Sequence, residues 1–158
     1  MSASVSNPTT HDALRLFRAI YAAVRHHLQN IERRCGASGA QVWALALLER
    51  QPGMRVTELA GAMAIHPSTA SNLLAKAERA GLLRRERSTA DQRVVKLYLT
   101  DSGRDTLAKA PEPVAGLLPD ALARLPQEVL ARLSGDLQLL AQQMSVQEDA
   151  AGRPFSDL

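Results

Sequence analysis

One short stretch restricts what this chain can fold into more than any other. From Pro67 to Ala80, the residues Ala70, Leu73, Leu74 and Ala77 fall at i, i+3, i+4 and i+7, the spacing of one helix face. Burying that face turns Ser68, Thr69, Ser71, Asn72, Lys76 and Arg79 outward, a row of small polar and basic groups. Pro67 suits a first helical position, where its missing N–H would have no partner anyway. Gly81 can close the helix in a left-handed conformation. A shorter helix, roughly Thr57 to Ala64 with Thr57 as its cap, precedes it across a turn at Ile65 and His66. Two short helices on a tight turn make a helix-turn-helix.

Directly after it, Leu82 to Ser88 and Val94 to Thr100 read as two strands, because Val95, Leu97 and Leu99 alternate with Lys96 and Tyr98. The turn Thr89-Ala90-Asp91-Gln92 closes them into a hairpin crowded by Arg84, Arg85, Arg87 and Arg93. Arg55 and Val56 offer at most one further strand-like bridge.

The flanks are helical. Thr9 or Thr10 is placed to cap a first helix, with Asp12 at its positive end, and Leu14, Phe17, Tyr21, Val24, Leu28 and Ile31 recur at steps of three and four as a seam. That helix should stop near Cys35, where Gly36 follows Arg33 and Arg34. Ser38 and Gln41 have capping-box spacing and open a second helix whose run Val42 to Leu48, with Trp43, is apolar on all sides. Thr100 caps a helix from 101 to about 124 that Pro111, Pro113 and Pro119 should bend. A last helix, Pro126 to Met144, carries a second seam at Leu130, Leu133, Leu137, Leu140 and Met144.

The expected organisation is a disordered start (1–9), a helical dimerisation region (10–36 and 101–144), a winged helix-turn-helix DNA-binding domain (37–100) and a flexible tail (145–158). The fold class is mainly α with a small β hairpin. Composition agrees: 46% of the residues are hydrophobic but only 3% aromatic, so Leu, Ala, Val and Ile must build the core, which argues against an all-β fold. The longest apolar run, Val42 to Leu48, is far short of the roughly 20 residues that span a bilayer, so no membrane is expected as a partner. The chain start has no signal-peptide pattern and Cys35 is the lone cysteine, so the expected location is the cytoplasm.

Charge is uneven. Residues 50–100 carry 9 basic and 4 acidic groups, a balance of +5, whereas residues 101–158 carry 5 and 9, a balance of −4. A helix for the major groove, an arginine-bearing hairpin for the backbone or minor groove, and local positive charge together point to double-stranded DNA.

These residues also resemble a family, the MarR winged-helix regulators, over about residues 12 to 144. The strongest part is Asp91-Gln92-Arg93-Val94-Val95-Lys96-Leu97-Tyr98-Leu99-Thr100-Asp101-Ser102-Gly103, which is similar to that family's wing signature of D-x-R, then L-x-L-T, then G. Val56-Thr57-Glu58-Leu59-Ala60 and Ala80-Gly81-Leu82-Leu83 match too. The resemblance implies a homodimer of intertwined first and last helices on a pseudo-palindromic operator, a recognition helix at about 67 to 80, and a wing whose Arg93, oriented by Asp91, enters the minor groove. Ser68, Thr69, Ser71, Asn72 and Lys76 would face bases, and Arg84, Arg85, Arg87, Asp91 and Arg93 would form the wing contacts. It further implies a repressor released when a small aromatic or phenolic effector fills a cleft. Arg18, Tyr21, His26, His27 and Trp43 are the candidate lining, and Trp43 and Tyr21 serve equally well as core. His66 stands where a better cap is common, and could contact phosphate or simply form the turn.

Two alternatives stay open: an oxidant-responsive regulator acting through Cys35, or an architectural DNA-binding module without effector. Adjacent His26 and His27 point to different helix faces, so no metal site is expected, and no cofactor or catalytic motif is present to make an enzyme.

Overall fold

The computed structural model describes residues 9–146 and 151–157. The first eight residues, expected to be disordered, lie outside them. In chain order the elements are α1 (Thr10–Cys35), α2 (Gly39–Arg50), α3 (Val56–Met63), α4 (Pro67–Arg79), β1 (Leu83–Arg87), β2 (Val95–Leu99), α5 (Asp101–Ala108), α6 (Leu117–Ala123), α7 (Gln127–Gln143) and a 3-10 turn, Phe155–Asp157.

Local chemistry sets most of the boundaries. Thr9 caps α1, and its backbone N–H donates to the Asp12 carboxylate at 3.0 Å. The Thr9 hydroxyl, donating to the same carboxylate at 2.7 Å, and then the backbone bond hold the Asp12 carboxyl below the usual carboxylate range. Gly36 closes α1 in the left-handed conformation, φ 66°. Ser38 and Gln41 form the capping box of α2, with Ser38 N–H donating to Gln41 Oε1 at 2.9 Å.

Three expectations are corrected. Thr57 is not a cap: α3 begins at Val56, and the orphan N–H of Arg55 is satisfied by the Glu58 carboxylate at 2.7 Å. The strand-like bridge falls not at Arg55 and Val56 but just before them, where Gly53 N–H donates to the Leu97 carbonyl and Leu97 N–H to the Met54 carbonyl. The helix expected from 101 to 124 is broken rather than bent. Pro111 and Pro113 lack donors and disfavour helix in the residue before each, so α5 ends at Ala108 and α6 starts afresh after Gly116.

One core lies between α2, α3, α4 and the hairpin. Leu45, Leu59, Leu74 and Leu97 have no exposed surface, and each contributes roughly 1.5–3 kcal/mol by burial. The strands pair antiparallel with Leu83 opposite Leu99 and Arg85 opposite Leu97, so β1 stands its inward side over the end of α4. Trp43 packs against the core while remaining partly exposed.

The outer helices are not covered in this way. Along α1 the seam is buried only at Ile31; Leu14, Phe17 and Tyr21 are exposed, and so are Leu137, Leu140 and Met144 of the α7 seam. The tail expected to be flexible from 145 is laid down in part: Gly152 and Pro154 are buried, and the 3-10 turn packs against α2. A backbone bond ties it to the residue before α4, from His66 N–H to the Gly152 carbonyl at 3.2 Å. Among the described residues no helix is long and apolar enough to cross a membrane.

Candidate nucleic-acid interface

The helix α4 is anchored from beneath and bare above. Ala70, Leu73, Leu74 and Ala77 are buried, whereas Ser68, Ser71, Asn72, Lys76 and Arg79 are exposed and Thr69 is half-buried. The polar row therefore shares one outward face. His66 is the N-terminal flanking residue, and its side chain makes no capping bond, as its poor capping chemistry implies.

The wing arginines divide into two groups by the alternation of β1. Arg84 lies on the side away from the core: it donates to Glu86 at 2.7 Å and to the Leu99 carbonyl at 3.0 Å, and its guanidinium lies 5.2 Å over the Tyr98 ring. Arg85 and Arg87 lie on the side facing α4, and Arg85 pairs with Glu78 of that helix at 3.3 Å. At the tip, Asp91 accepts a bond from the Arg93 backbone N–H at 2.9 Å, so it shapes the turn that carries Arg93, whose side chain is exposed. The array can offer cationic and small polar donors to phosphates and base edges along a helix and a hairpin at once.

The expected effector residues are not gathered. Arg18, Tyr21 and His26 are exposed on α1; His27 is buried and shares a hydrogen bond with the Pro113 carbonyl at 3.0 Å; Trp43 packs at the core edge. A cleft of about 290 Å³ lies instead between α2 and the stretch after α5, beside Ala46, Arg50, Arg104 and Val114. Cys35 is half-buried, and burial pushes its thiol above the ordinary range despite the opposing positive charge of Arg34 and Lys109. No cluster of metal-ligating side chains occurs among the described residues.

One residue near the interface escaped sequence reasoning. Arg153 lines a cleft of about 490 Å³ together with Ser68, Thr69, Asn72 and Lys76. Nothing in the spacing or composition of the chain links position 153 to the recognition helix.

An outward polar helix held beside an arginine-bearing hairpin defines a winged-helix DNA-binding protein. The sequence model of the MarR family matches residues 38–95, from the start of α2 to the start of β2. The HTH-type transcriptional repressor MdtR of Bacillus subtilis is 29% identical over 86 residues, a match that spans 54% of this chain and 56% of that one, about half its length. Transcriptional regulator HosA of Escherichia coli O111:H- is 28% identical over 141 residues, 89% of this chain and 94% of its own. Among solved structures, the transcriptional repressor CouR bound to a 23-mer DNA duplex superposes with a TM-score of 0.56 at 29% identity, covering 88% of this chain and 99% of that one. A MarR family protein from Bacillus stearothermophilus superposes with a TM-score of 0.54 at 25% identity, covering 90% and 99%. The chain is thus similar to MarR-family transcriptional regulators, by sequence over residues 38–95 and by fold over most of its length.

Proposed function

We propose that the chain acts in the cytoplasm as a homodimeric repressor on a pseudo-palindromic operator. The observation that carries this reading is the outward face of α4, where Ser68, Ser71, Asn72 and Lys76 stand exposed over a fully buried apolar face. Asn72 has the paired donor and acceptor that suit adenine, and Lys76 a cation for guanine or phosphate. Arg87 and Arg93 supply backbone and minor-groove contacts from the hairpin. The exposed seams of α1 and α7 supply the dimer surface, since stripes of Leu, Phe and Tyr of this extent on a lone chain mark an association site. On this division 37–100 is the DNA-binding domain, and 10–36 with 101–144 the dimerisation region.

In vitro selection from a random duplex pool tests the reading. The full chain is expected to enrich a pseudo-palindrome, and Asn72→Ala to cost about 1–3 kcal/mol at one or two base positions of each half-site. No enrichment over the starting pool, or an Asn72→Ala variant with every base preference intact, would refute it.

Release by a small aromatic or phenolic ligand is the finer part of the proposal and rests on the half-buried Trp43, since Arg18, Tyr21 and His26 stand exposed on α1 and are not gathered around it. An effector should quench Trp43 fluorescence and weaken operator binding by the factor with which DNA weakens the effector. Tight effector binding without change in operator affinity would remove this part alone.

A further inference from the structure

We infer that the C-terminal stretch 152–154 is a third DNA-contacting element, in which Arg153 is held beside the first turns of α4 to meet the duplex. The inference rests on the reading of α4 as the helix that faces DNA.

The arrangement is an anchored cation. Gly152 and Pro154, on either side, are buried, whereas Arg153 between them is exposed. The Gly152 carbonyl accepts the His66 N–H at 3.2 Å, at the residue that leads into α4. The approach is close enough that a Cβ at position 152 would overlap the His66 ring, so the ring or the segment would have to shift. From the other side the 3-10 turn Phe155–Asp157 packs against α2. Fixed at both ends, Arg153 shares a cleft with Ser68, Asn72 and Lys76, residues of the outward face itself.

Its charge decides what such a segment does. A duplex carries one negative charge per roughly 1.7 Å of axis, and each protein cation that neutralises a phosphate releases condensed counterions. A tail built to mask the helix would set a carboxylate among Asn72 and Lys76 in imitation of phosphate. Arg153 instead brings a cation to that cleft and adds to its positive charge, and a guanidinium can bind a phosphate with two parallel hydrogen bonds.

The test measures affinity and salt dependence for the duplex recovered by selection with the full chain. Four variants are compared: Arg153→Ala, Arg153→Lys, Gly152→Val and Asn72→Ala. If each subunit of a dimer loses one phosphate contact, the ratio of affinities at 50 and 200 mM salt should shrink by about tenfold in Arg153→Ala. Arg153→Lys should keep the salt slope. Gly152→Val, which displaces the segment but leaves the arginine in place, should lose affinity and slope as Arg153→Ala does. Arg153 is exposed, so Arg153→Ala leaves no cavity in the core and remains decisive if Gly152→Val melts early. An unchanged salt slope in Arg153→Ala, with base preferences lost in Asn72→Ala, would overturn this inference and leave the α4 reading standing. Unchanged behaviour in both would overturn both. Tighter binding by Arg153→Ala or Gly152→Val would make the segment a shield and overturn the inference as well.

Discussion

The Arg85 guanidinium lies 3.3 Å from the Glu78 carboxylate, an ion pair that joins the wing strand to the last turn of the recognition helix. Both side chains are about one-third to two-fifths exposed, so the pair contributes at most about 1 kcal/mol to stability. Its consequence is electrostatic: Glu78 neutralises a cation on the side proposed to face DNA. Glu78→Gln is therefore expected to tighten DNA binding and steepen the salt dependence by about one unit of slope per subunit, with melting temperature nearly unchanged. Salt titrations of the variant and the parent chain check this, and an unaltered slope would mean that Arg85 does not reach DNA.

Arg84 and Arg93 look equivalent in the sequence and are not equivalent in the fold. Arg84 is tied to Glu86, the Leu99 carbonyl and the Tyr98 ring, whereas Arg93 is exposed on a turn pinned by Asp91. Arg84→Ala should lower the melting temperature and leave the salt slope nearly intact. Arg93→Ala should do the reverse, flattening the slope by about one unit per subunit, with a larger loss on A·T-rich flanks where the minor groove is narrow. Calorimetry and salt titration of the two variants separate the roles.

That contrast marks where sequence reasoning was sufficient. Helices α1, α2 and α4 and the hairpin were legible because each is written locally: Thr9, Ser38 and Pro67 mark starts, Gly36 and Gly81 mark ends, and the apolar spacing marks the faces. The exposed row on α4 was legible for the same reason. What was not legible depends on residues distant in the chain. Arg84 finds its acceptor at Leu99, 15 positions on, and His27 shares its bond with Pro113, 86 positions on. Gly152 reaches His66 through a backbone carbonyl, a group every residue carries, so no pattern at position 152 could announce it. The break between α5 and α6 was signalled by Pro111 and Pro113, and its depth was underread because two prolines so close remove donors from consecutive turns.

Association should depend on the uncovered seam of α7. Leu137 and Leu140 are 42% and 40% exposed, and on a lone chain these apolar groups face water. Leu137→Asp should leave secondary structure intact, convert a particle of twice the 17.1 kDa chain mass into one of chain mass, and abolish tight operator binding because the half-sites are no longer held together. Light scattering at micromolar concentration checks the first part. A parent chain that stays monomeric would remove the dimer from the mechanism.

Cys35 should be a slow thiol. The thiolate is the reactive form, and burial raises the thiol above its ordinary value even with Arg34 and Lys109 nearby, so at neutral pH less thiolate is present than in an exposed cysteine. Alkylation by iodoacetamide should be slower than that of a free cysteine at pH 7 and should accelerate as pH rises past the ordinary thiol range. Peroxide at levels that oxidise exposed thiols should leave DNA binding unchanged. Rapid loss of binding, prevented by Cys35→Ser, would instead favour an oxidant-responsive regulator.

Gly103 in α5 offers the sharpest test of packing, because two opposing effects act on one substitution. Alanine is the better helix former by about 0.8–1 kcal/mol, so propensity alone predicts that Gly103→Ala stabilises. The structure predicts the opposite. A Cβ at position 103 would collide with the Leu82 carbonyl oxygen and crowd Leu99 Cδ2 at 3.3 Å, and a backbone carbonyl cannot rotate away as a side chain can. The same Leu82 carbonyl accepts the Thr100 N–H at 3.2 Å, and Thr100 caps α5 by accepting the Gly103 N–H at 3.0 Å, so relief by moving α5 would strain the cap as well. Overpacking of this kind costs about 1–3 kcal/mol or more, enough to outweigh propensity. Gly61 in α3 is the control, since a Cβ there meets nothing within 4 Å. Gly61→Ala should raise the melting temperature by a few degrees and Gly103→Ala should lower it by several, as followed by circular dichroism. If both glycines respond alike, the close approach of α5 to the end of the recognition helix is not as described.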